Sequence, residues 1–458
     1  MTHLTTPAPT GLDTHPATVD RRGFCRAASM GVVGAALSAP LAAAFAGAAA
    51  KTRVALVGTG IRGTTTWGMN LLRDAGDRVE IVGLCDVNPD RVKVAQRWIG
   101  GAIPTFTDFD EMIRATKPER VIVTTVDATH YEYVCRAMEA GIDPICEKPL
   151  CTHDFQAQQI VDTQKRTGRK VDVTFNARHE AGAMKVKELL LAGEIGRLYS
   201  VGYEEFLDLD HGASYFRRWH GLKQASGTLL CHKASHHFDQ LNWWIDADPV
   251  EVTAQGRLNK YGVNGTQRHA NCRLCPHKKS CDLYWDMTTS RELMELYADC
   301  EDQDGYYRDA CLYRREINVP DTYSVQIRYA NQVLVTYSLN ATVPYEGQSI
   351  VFNGSKGRID LRNYNSQPWE VPHESEIRLT RNFKGTSVIT ADPQRGEFFE
   401  HGGADQRIKR MVFDPSMPDP LSQRAGLRAG ILSSAVGIAG YTSIETGRKV
   451  RIDEVVRV

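Results

Sequence analysis

The residues best placed to do chemistry in this chain begin at Gly58. The run RVALVGTGIRG, residues 53–63, sets Gly58, Gly60 and Gly63 directly after the apolar stretch Val54–Val57 and before a helix-like segment. Each glycine has a physical task. Gly58 permits a tight turn out of a strand, Gly60 lets the backbone approach a pyrophosphate, and Gly63 lets the helix pack closely on the strand. The loop Gly58, Thr59, Gly60, Ile61, Arg62, Gly63 then forms a cradle at a helix N-terminus, where free N–H groups and the helix dipole favour an anion. Asp86 ends the next apolar run, Val79–Cys85. A carboxylate there accepts hydrogen bonds from adenosine ribose hydroxyls and repels a 2′-phosphate, so NAD is expected over NADP, with Asn88 assisting. Arg91 reads either as a solvated first-turn residue or as a partner for a 2′-phosphate. The chemistry of such a site is hydride transfer.

A second set of reactive side chains lies far downstream. Cys272-x2-Cys275-x5-Cys281 is followed by Cys300 and Cys311. A C-x2-C pair is how two thiolates chelate one metal, so Cys272, Cys275, Cys281 and one of the later pair, Cys311 being the one taken, are candidate ligands of a structural zinc or iron–sulfur cluster. Disulfides are the alternative outside a reducing compartment. Either way this segment, about 256–320, is expected to be an insert that staples the fold beside the cleft. Cys85, Cys135, Cys146, Cys151 and Cys231 read as small core residues.

The elements that must position these groups fall into two patterns. Apolar runs at Val54–Val57, Val79–Cys85, 120–125 and Ile142–Cys146 alternate with helical periodicity at 89–99 and 128–140. Asn88 is placed as an N-cap before Pro89, and Gly141 as a stop. Strands alternating with helices predict a doubly wound parallel sheet over 52–170. From 171 to 458 the pattern shifts to long alternating strands, such as 197–207, 322–330 and 332–340, the last two joined at Asn331. This predicts a second α+β domain with an open, mostly antiparallel sheet. With 458 residues there is room for two cores. A net formal charge of zero and no basic block exclude nucleic acid as a partner.

Residues 1–50 differ in composition. A polar, Pro- and Thr-containing start precedes Arg21-Arg22, Phe24, a long Ala/Gly-rich run and Ala44-Phe45-Ala46. This resembles a bacterial twin-arginine export signal with a small-x-small cleavage site. The translocase is then an expected partner and the periplasm, or another extracytoplasmic space, the expected location. A retained membrane anchor is the alternative.

The sequence is also similar to the Gfo/Idh/MocA oxidoreductases, a family that includes glucose–fructose oxidoreductase and inositol dehydrogenase. Glu147-Lys148-Pro149 resembles the family's EKP motif. Thr125-Val126-Asp127-Ala128-Thr129-His130 resembles T-P-[ND]-x-x-H, with Val126 for the proline. Gly193–Gly196 resembles its GEIG turn, and Ser443–Gly447 its S-x-x-x-G helix end. The resemblance implies that Lys148 lies beside nicotinamide and substrate as the proton-relaying group, and that Thr125, His130, Glu147 and Lys148 border the cofactor. It implies a carbohydrate substrate and a homo-oligomer.

The family's D-x-x-x-H-x-x-D helix is matched by His232, His236 and Asp239, with His232 where the family has its first Asp. His236 is then the expected acid/base partner of Lys148, and His232 a second catalytic candidate with a different charge and pH dependence. His237 is read as structural and Lys233 as ambiguous. Tyr215, Arg218 and Trp219, within an aromatic and basic cluster running to His220, are substrate candidates, as are Arg178 and Asp239.

Export and a nicotinamide cofactor together constrain mechanism, because outside the cytoplasm there is no free NAD pool. The expected activity is therefore hydride transfer from a secondary carbinol of a sugar or glycoside, with tightly bound NAD regenerated in the same site. Coupled oxidation and reduction of two sugars, epimerisation, and oxidation–elimination–reduction of a glycoside all meet this condition. The alternatives are a conventional NAD(P)-dependent sugar or polyol dehydrogenase with exchangeable cofactor, and a non-catalytic sugar- or cofactor-binding protein.

Overall fold

The computed structural model describes residues 50–371, 375–391 and 400–458. The expected export signal and its expected cleavage site lie outside the described residues.

The first sheet contains β1 (Thr52–Val57), β2 (Val79–Cys85), β3 (Thr105–Phe106), β4 (Arg120–Val123), β5 (Asp143–Cys146) and β6 (Asp172–Val173). Their order is β3-β2-β1-β4-β5-β6 and every pairing is parallel. Helices cover both faces of such a sheet, which is why Val54–Val57 is an unbroken buried run rather than an alternating one. The four strands expected from apolar runs are present. Strands β3 and β6 have only two residues each, too few to leave a periodicity. Asn88 caps the helix Pro89–Ile99, its Oδ1 accepting from the N–H groups of Asp90 and Arg91. The order reverses between β1 and β4, and that switch point opens the crevice in which ligands of such sheets bind.

The second sheet has nine strands: β7 (Leu198–Asp208), β8 (Pro249–Arg257), β9 (Thr322–Tyr329), β10 (Leu334–Val343), β11 (Glu346–Gly354), β12 (Gly357–Ser366), β13 (Ser375–Arg381), β14 (Gly385–Thr390) and β15 (Val450–Arg451). The order is β14-β13-β12-β11-β7-β10-β9-β8-β15. Only β7 and β10 run parallel; the other neighbours are antiparallel. Alternation is plain in β7, where Val201, Tyr203, Glu205 and Leu207 point inward. The helices Ala234–Ile245 and Leu427–Thr446 pack on each other, and the second packs on β8. Leu427–Thr446 is a core helix, and among the described residues no helix is long and apolar enough to cross a membrane. The two domains are stitched where the Val173 N–H donates to the Ala425 carbonyl at 2.8 Å.

The cysteine-bearing segment leaves the sheet after β8 and returns at β9. These two strands are antiparallel neighbours, so residues 258–321 form an excursion between elements already held side by side. Cys272, Cys275, Cys281 and Cys311 face one small cavity of about 20 Å3. They do not form the expected metal centre: among the described residues no three His, Cys, Asp or Glu are arranged to hold a metal ion. The disulfide alternative is not met either, since every described cysteine is a free thiol. The thiols share a space without closing around one point. Cys300 instead joins an apolar cluster with Val94, Leu296 and Tyr297. That cluster joins the excursion to the first domain, which spacing along the chain did not reveal.

Candidate active site

One cleft of about 560 Å3 runs from the glycine loop to the second domain. Its floor is the β1 turn. Gly58 has φ +90°, and a Cβ there would stand 2.6 Å from the Thr124 carbonyl carbon; a Cβ on Gly63 would stand 2.0 Å from the Gly58 oxygen. Both positions therefore exclude side chains; Gly58 leaves bare backbone facing the cleft, and Gly63 lets the helix close on the turn. The helix that follows, Arg62–Met69, opens with wide π-type turns before continuing as Asn70–Ala75. Asp86 sits at the rim. Its Oδ2 accepts from the Thr59 N–H at 2.7 Å and Oγ1 at 3.0 Å, and its Oδ1 accepts from the Asn88 N–H at 2.9 Å.

Arg91 is neither solvated nor free to meet a phosphate. It is buried, donates to Asp304 at 2.8 Å, and lies 3.4 Å from Asp86. Asn88 is likewise occupied, its Nδ2 donating to the Cys300 carbonyl and to Asp304. The reason is the excursion, which folds over this rim. Tyr297 accepts the Ile61 N–H at 2.8 Å, and Tyr297, Asp304 and Tyr306 all line the cleft. The excursion is thus a wall of the cleft rather than a staple beside it.

Further in, Lys148 follows β5, joined to Pro149 by a cis peptide bond. Its Nζ donates to the His232 carbonyl at 3.0 Å. Burial pushes the amine down to about 8, against the opposing pull of Asp127 and Glu147. His232 Nδ1 lies 2.6 Å from Asp127 Oδ2. Burial holds the Asp127 carboxyl well above the usual carboxylate range, and burial with His220 and Lys148 nearby holds His232 well below its ordinary value. Lys148 thus touches the backbone of the residue whose imidazole meets Asp127, and the three groups form one cluster at the cleft. A lysine near neutrality, backed by an imidazole and a carboxylic acid, is equipped to take a proton from a substrate hydroxyl and return it.

Glu147 borders the cleft but is not free for a cofactor. Its Oε1 accepts from Arg62 Nε and Trp67 Nε1, both at 2.7 Å. Arg62 in turn donates to both oxygens of Asp405, at 2.9 and 3.1 Å. The glycine loop, the Lys148 segment and the helix Ala404–Phe413 are locked together by these bonds. His130 bridges the same region, its ring nitrogens 2.7 Å from the Pro149 carbonyl and 3.1 Å from that of Thr125.

The expected site residues thus separate. Gly58, Gly60, Ile61, Arg62, Asp86, Thr125, His130, Glu147, Lys148, His232, Tyr215, Arg218 and Trp219 line the cleft. His236 does not. It meets Phe175 edge-on, with its Nδ1 buried and without a hydrogen-bond partner among the described residues. Arg178 and Asp239 are likewise absent from the cleft. They form a bidentate buried pair at 2.6 and 2.7 Å, and Arg178 lies over Trp243. The guanidinium compensates a carboxylate that the core cannot otherwise hold, which takes both out of reach of a sugar. His237 is structural, held by Tyr337 and Glu205, and Lys233 pairs with Glu205 at 3.2 Å.

Sequence reasoning gave no role to Asp127, His220 or Tyr297. Asp127 was within reach of it, since it stands just past the C-terminal end of β4, beside the switch point. His220, whose ring centroid lies 4.0 Å from that of His232, and Tyr297 come close only through folding.

A parallel sheet of this order, a bare glycine turn and a buried lysine in one cleft define a dinucleotide-binding oxidoreductase. Comparison with known proteins gives the family. The model of the oxidoreductase family NAD-binding Rossmann fold matches residues 52–175, and that of the family's C-terminal α/β domain matches 187–452. The chain belongs to the Gfo/Idh/MocA oxidoreductase family. It is 34% identical over 398 residues to YteT of Bacillus subtilis, named as an oxidoreductase, covering 82% of this chain and 92% of that protein. It is 29% identical over 202 residues to an inositol 2-dehydrogenase/D-chiro-inositol 3-dehydrogenase of Lactiplantibacillus plantarum, a match spanning 44% of this chain and 54% of that one. In fold it is similar to an oxidoreductase from Agrobacterium radiobacter solved with NAD+, L-tartaric acid and magnesium, with a TM-score of 0.62 at 16% identity over 88% of this chain and 99% of that one.

Proposed function

We propose that this NAD-binding oxidoreductase removes hydride from a secondary carbinol of a carbohydrate or glycoside, and that its NAD stays bound and is regenerated in the same cleft. The observation that carries the first half is the cluster of Lys148, His232 and Asp127 in one cleft with the glycine turn. The turn fits the dinucleotide, because Gly58 and Gly63 have no room for side chains. Gly58–Gly63 would hold the pyrophosphate and Asp86 the ribose. When bound, the nicotinamide supplies a hydride acceptor. Lys148 receives the hydroxyl proton, His232 and Asp127 adjust the charge around it, and Tyr215 and Trp219 border the space for a sugar. His232 takes the acid/base place first expected for His236.

Support for retention comes from two sides. The sequence of residues 1–50 resembles an export signal, and an exported enzyme has no cofactor pool to draw on. The excursion also folds Tyr297 onto the glycine loop and Asp304 onto Arg91 and Asn88, so a bound dinucleotide would lie partly beneath it. The test is to purify the protein without added cofactor, denature it, and assay the supernatant for NAD(H). Stoichiometric dinucleotide is the expected result. An empty protein that binds NAD weakly and reversibly would leave a conventional dehydrogenase.

A further inference from the structure

A second cavity, of about 520 Å3, adjoins the catalytic cleft and shares Arg218, Trp219 and Tyr306 with it. Its composition is lopsided. Arg217, Arg218, Arg268, Arg314 and Arg315 line it, against a single acidic residue, Glu316. The hydrogen bonds these arginines make go to backbone carbonyls. Arg218 donates to Ser214 O at 2.9 Å, Arg268 to Tyr313 O at 2.7 Å, and Arg314 to Arg218 O at 2.8 Å. None has a carboxylate within ion-pair distance among the described residues, whereas most arginines of the first domain do. Carbonyl bonds fix a guanidinium in place without neutralising it.

The neighbouring Arg308 sharpens the point. Its Nη1 is buried without a hydrogen-bond partner, and burial together with Arg218 pushes it down to about 10. Clustering like charges in a concave, partly dry space opposes folding unless an anion arrives. Planar guanidinium groups match carboxylate and phosphate oxygens in pairs.

We propose that this cavity is a subsite for the anionic part of the substrate, so that the saccharide acted on at Lys148 carries a carboxylate or phosphate that reaches Arg218, Arg268, Arg314 and Arg315. This rests on the reading of the cleft as a carbohydrate oxidoreductase site and adds the substrate's charge. Trp219 and Tyr306, common to both spaces, would stack on the ring that joins the reacting carbon to the anion.

The test uses the full chain as purified, with NAD present. Thermal shift and calorimetric titration would compare D-glucuronate, D-galacturonate and D-glucose 6-phosphate with D-glucose and D-galactose at matched ionic strength. Charged sugars are expected to bind at least about tenfold more tightly than their neutral parents, roughly the effect of one good guanidinium–anion contact. Arg315→Gln and Arg268→Gln are expected to remove most of that preference and leave neutral-sugar binding where it was. A preference for uronates identifies a carboxylate, and one for the sugar phosphate identifies a phosphate. Equal binding of charged and neutral sugars, no binding of either, or a preference untouched by both substitutions would overturn the proposal. Turnover separates the two readings. Oxidation of neutral sugars without charge preference sinks only the subsite, while no oxidation of any sugar by a protein that holds NAD sinks the carbohydrate reading itself.

Discussion

His232 Nδ1 stands 2.6 Å from Asp127 Oδ2, and the backbone carbonyl of the same histidine accepts the Lys148 Nζ proton at 3.0 Å. One residue therefore touches both the base and the carboxyl, where family relatives are expected to carry an aspartate.

Asp127→Asn keeps the shape of that contact and removes its titratable proton. Turnover is expected to fall by about 10²–10⁴-fold, the range for an impaired proton-transfer group. His232→Asp, which restores a carboxylate at the position, is expected to fall less in Asp127→Asn than in the parent. Steady-state kinetics of the two single variants and the double variant decide this; additive losses would mean the two side chains do not work together.

The pH dependence follows from Lys148. Its amine is held down to about 8 by burial, and it accepts a proton only when neutral. Alcohol oxidation is therefore expected to rise with pH through that value and level off above it, while the reverse reduction declines over the same interval. Lys148→Met is expected to abolish this limb and most activity while the protein still carries dinucleotide. A profile in kcat/KM unaltered by the substitution would remove Lys148 from the proton path.

Cofactor choice is expected to turn on Asp86. Asp86→Ser removes the carboxylate that receives the Thr59 and Asn88 N–H groups, so NAD affinity drops and discrimination against NADP weakens. Titration with both dinucleotides after removal of any bound cofactor measures it.

Tyr297→Ala opens the contact over Ile61. Dissociation of bound dinucleotide, followed by dilution into a scavenging enzyme, is expected to speed up, with the pH profile of turnover unchanged. An unchanged release rate would show that the excursion does not retain the cofactor.

The Arg178–Asp239 pair is expected to matter for folding and not for chemistry. Arg178→Ala leaves a carboxylate alone in the core, a loss of about 3–5 kcal/mol for a broken buried pair. Arg178→Met with Asp239→Leu is expected to recover much of it. Chemical denaturation reads the stability, and activity per folded molecule is expected to hold in the double variant.

Much of this arrangement was legible in the chain. The glycine spacing, Asp86, the Asn88 cap and the alternation of β7, β9 and β10 are local patterns, each tied to a few neighbouring residues. The EKP and T-x-D-x-x-H segments, singled out by resemblance, line the same cleft as the glycine loop. What the chain did not disclose is which way side chains turn on a buried helix. His232 and His236 share a face by spacing, yet the helix is interrupted at Lys233, His232 closing Leu229–His232 and His236 lying in Ala234–Ile245, and of the two only His232 lines the cleft. The pairing of Arg178 with Asp239 was equally hidden, since it joins residues far apart in sequence. The cysteines misled for a related reason: C-x2-C spacing specifies that two thiols are near, not that a third and fourth complete a ligand sphere.

The departure of residues 258–321 between two strands that are already neighbours has a consequence for how this protein can change. Its two ends are pinned by β8 and β9, so closing the loop adds little entropy cost whatever its length. Closure therefore constrains the length of the excursion only weakly, while Tyr261, Leu312, Ile317 and Val319 within it pack into the main core. The excursion also carries Tyr297 and Asp304 over the cofactor rim and Arg268, Arg314 and Arg315 around the second cavity. The fold thus keeps Lys148 on the frame of the first sheet, while side chains bordering both cavities come from the excursion.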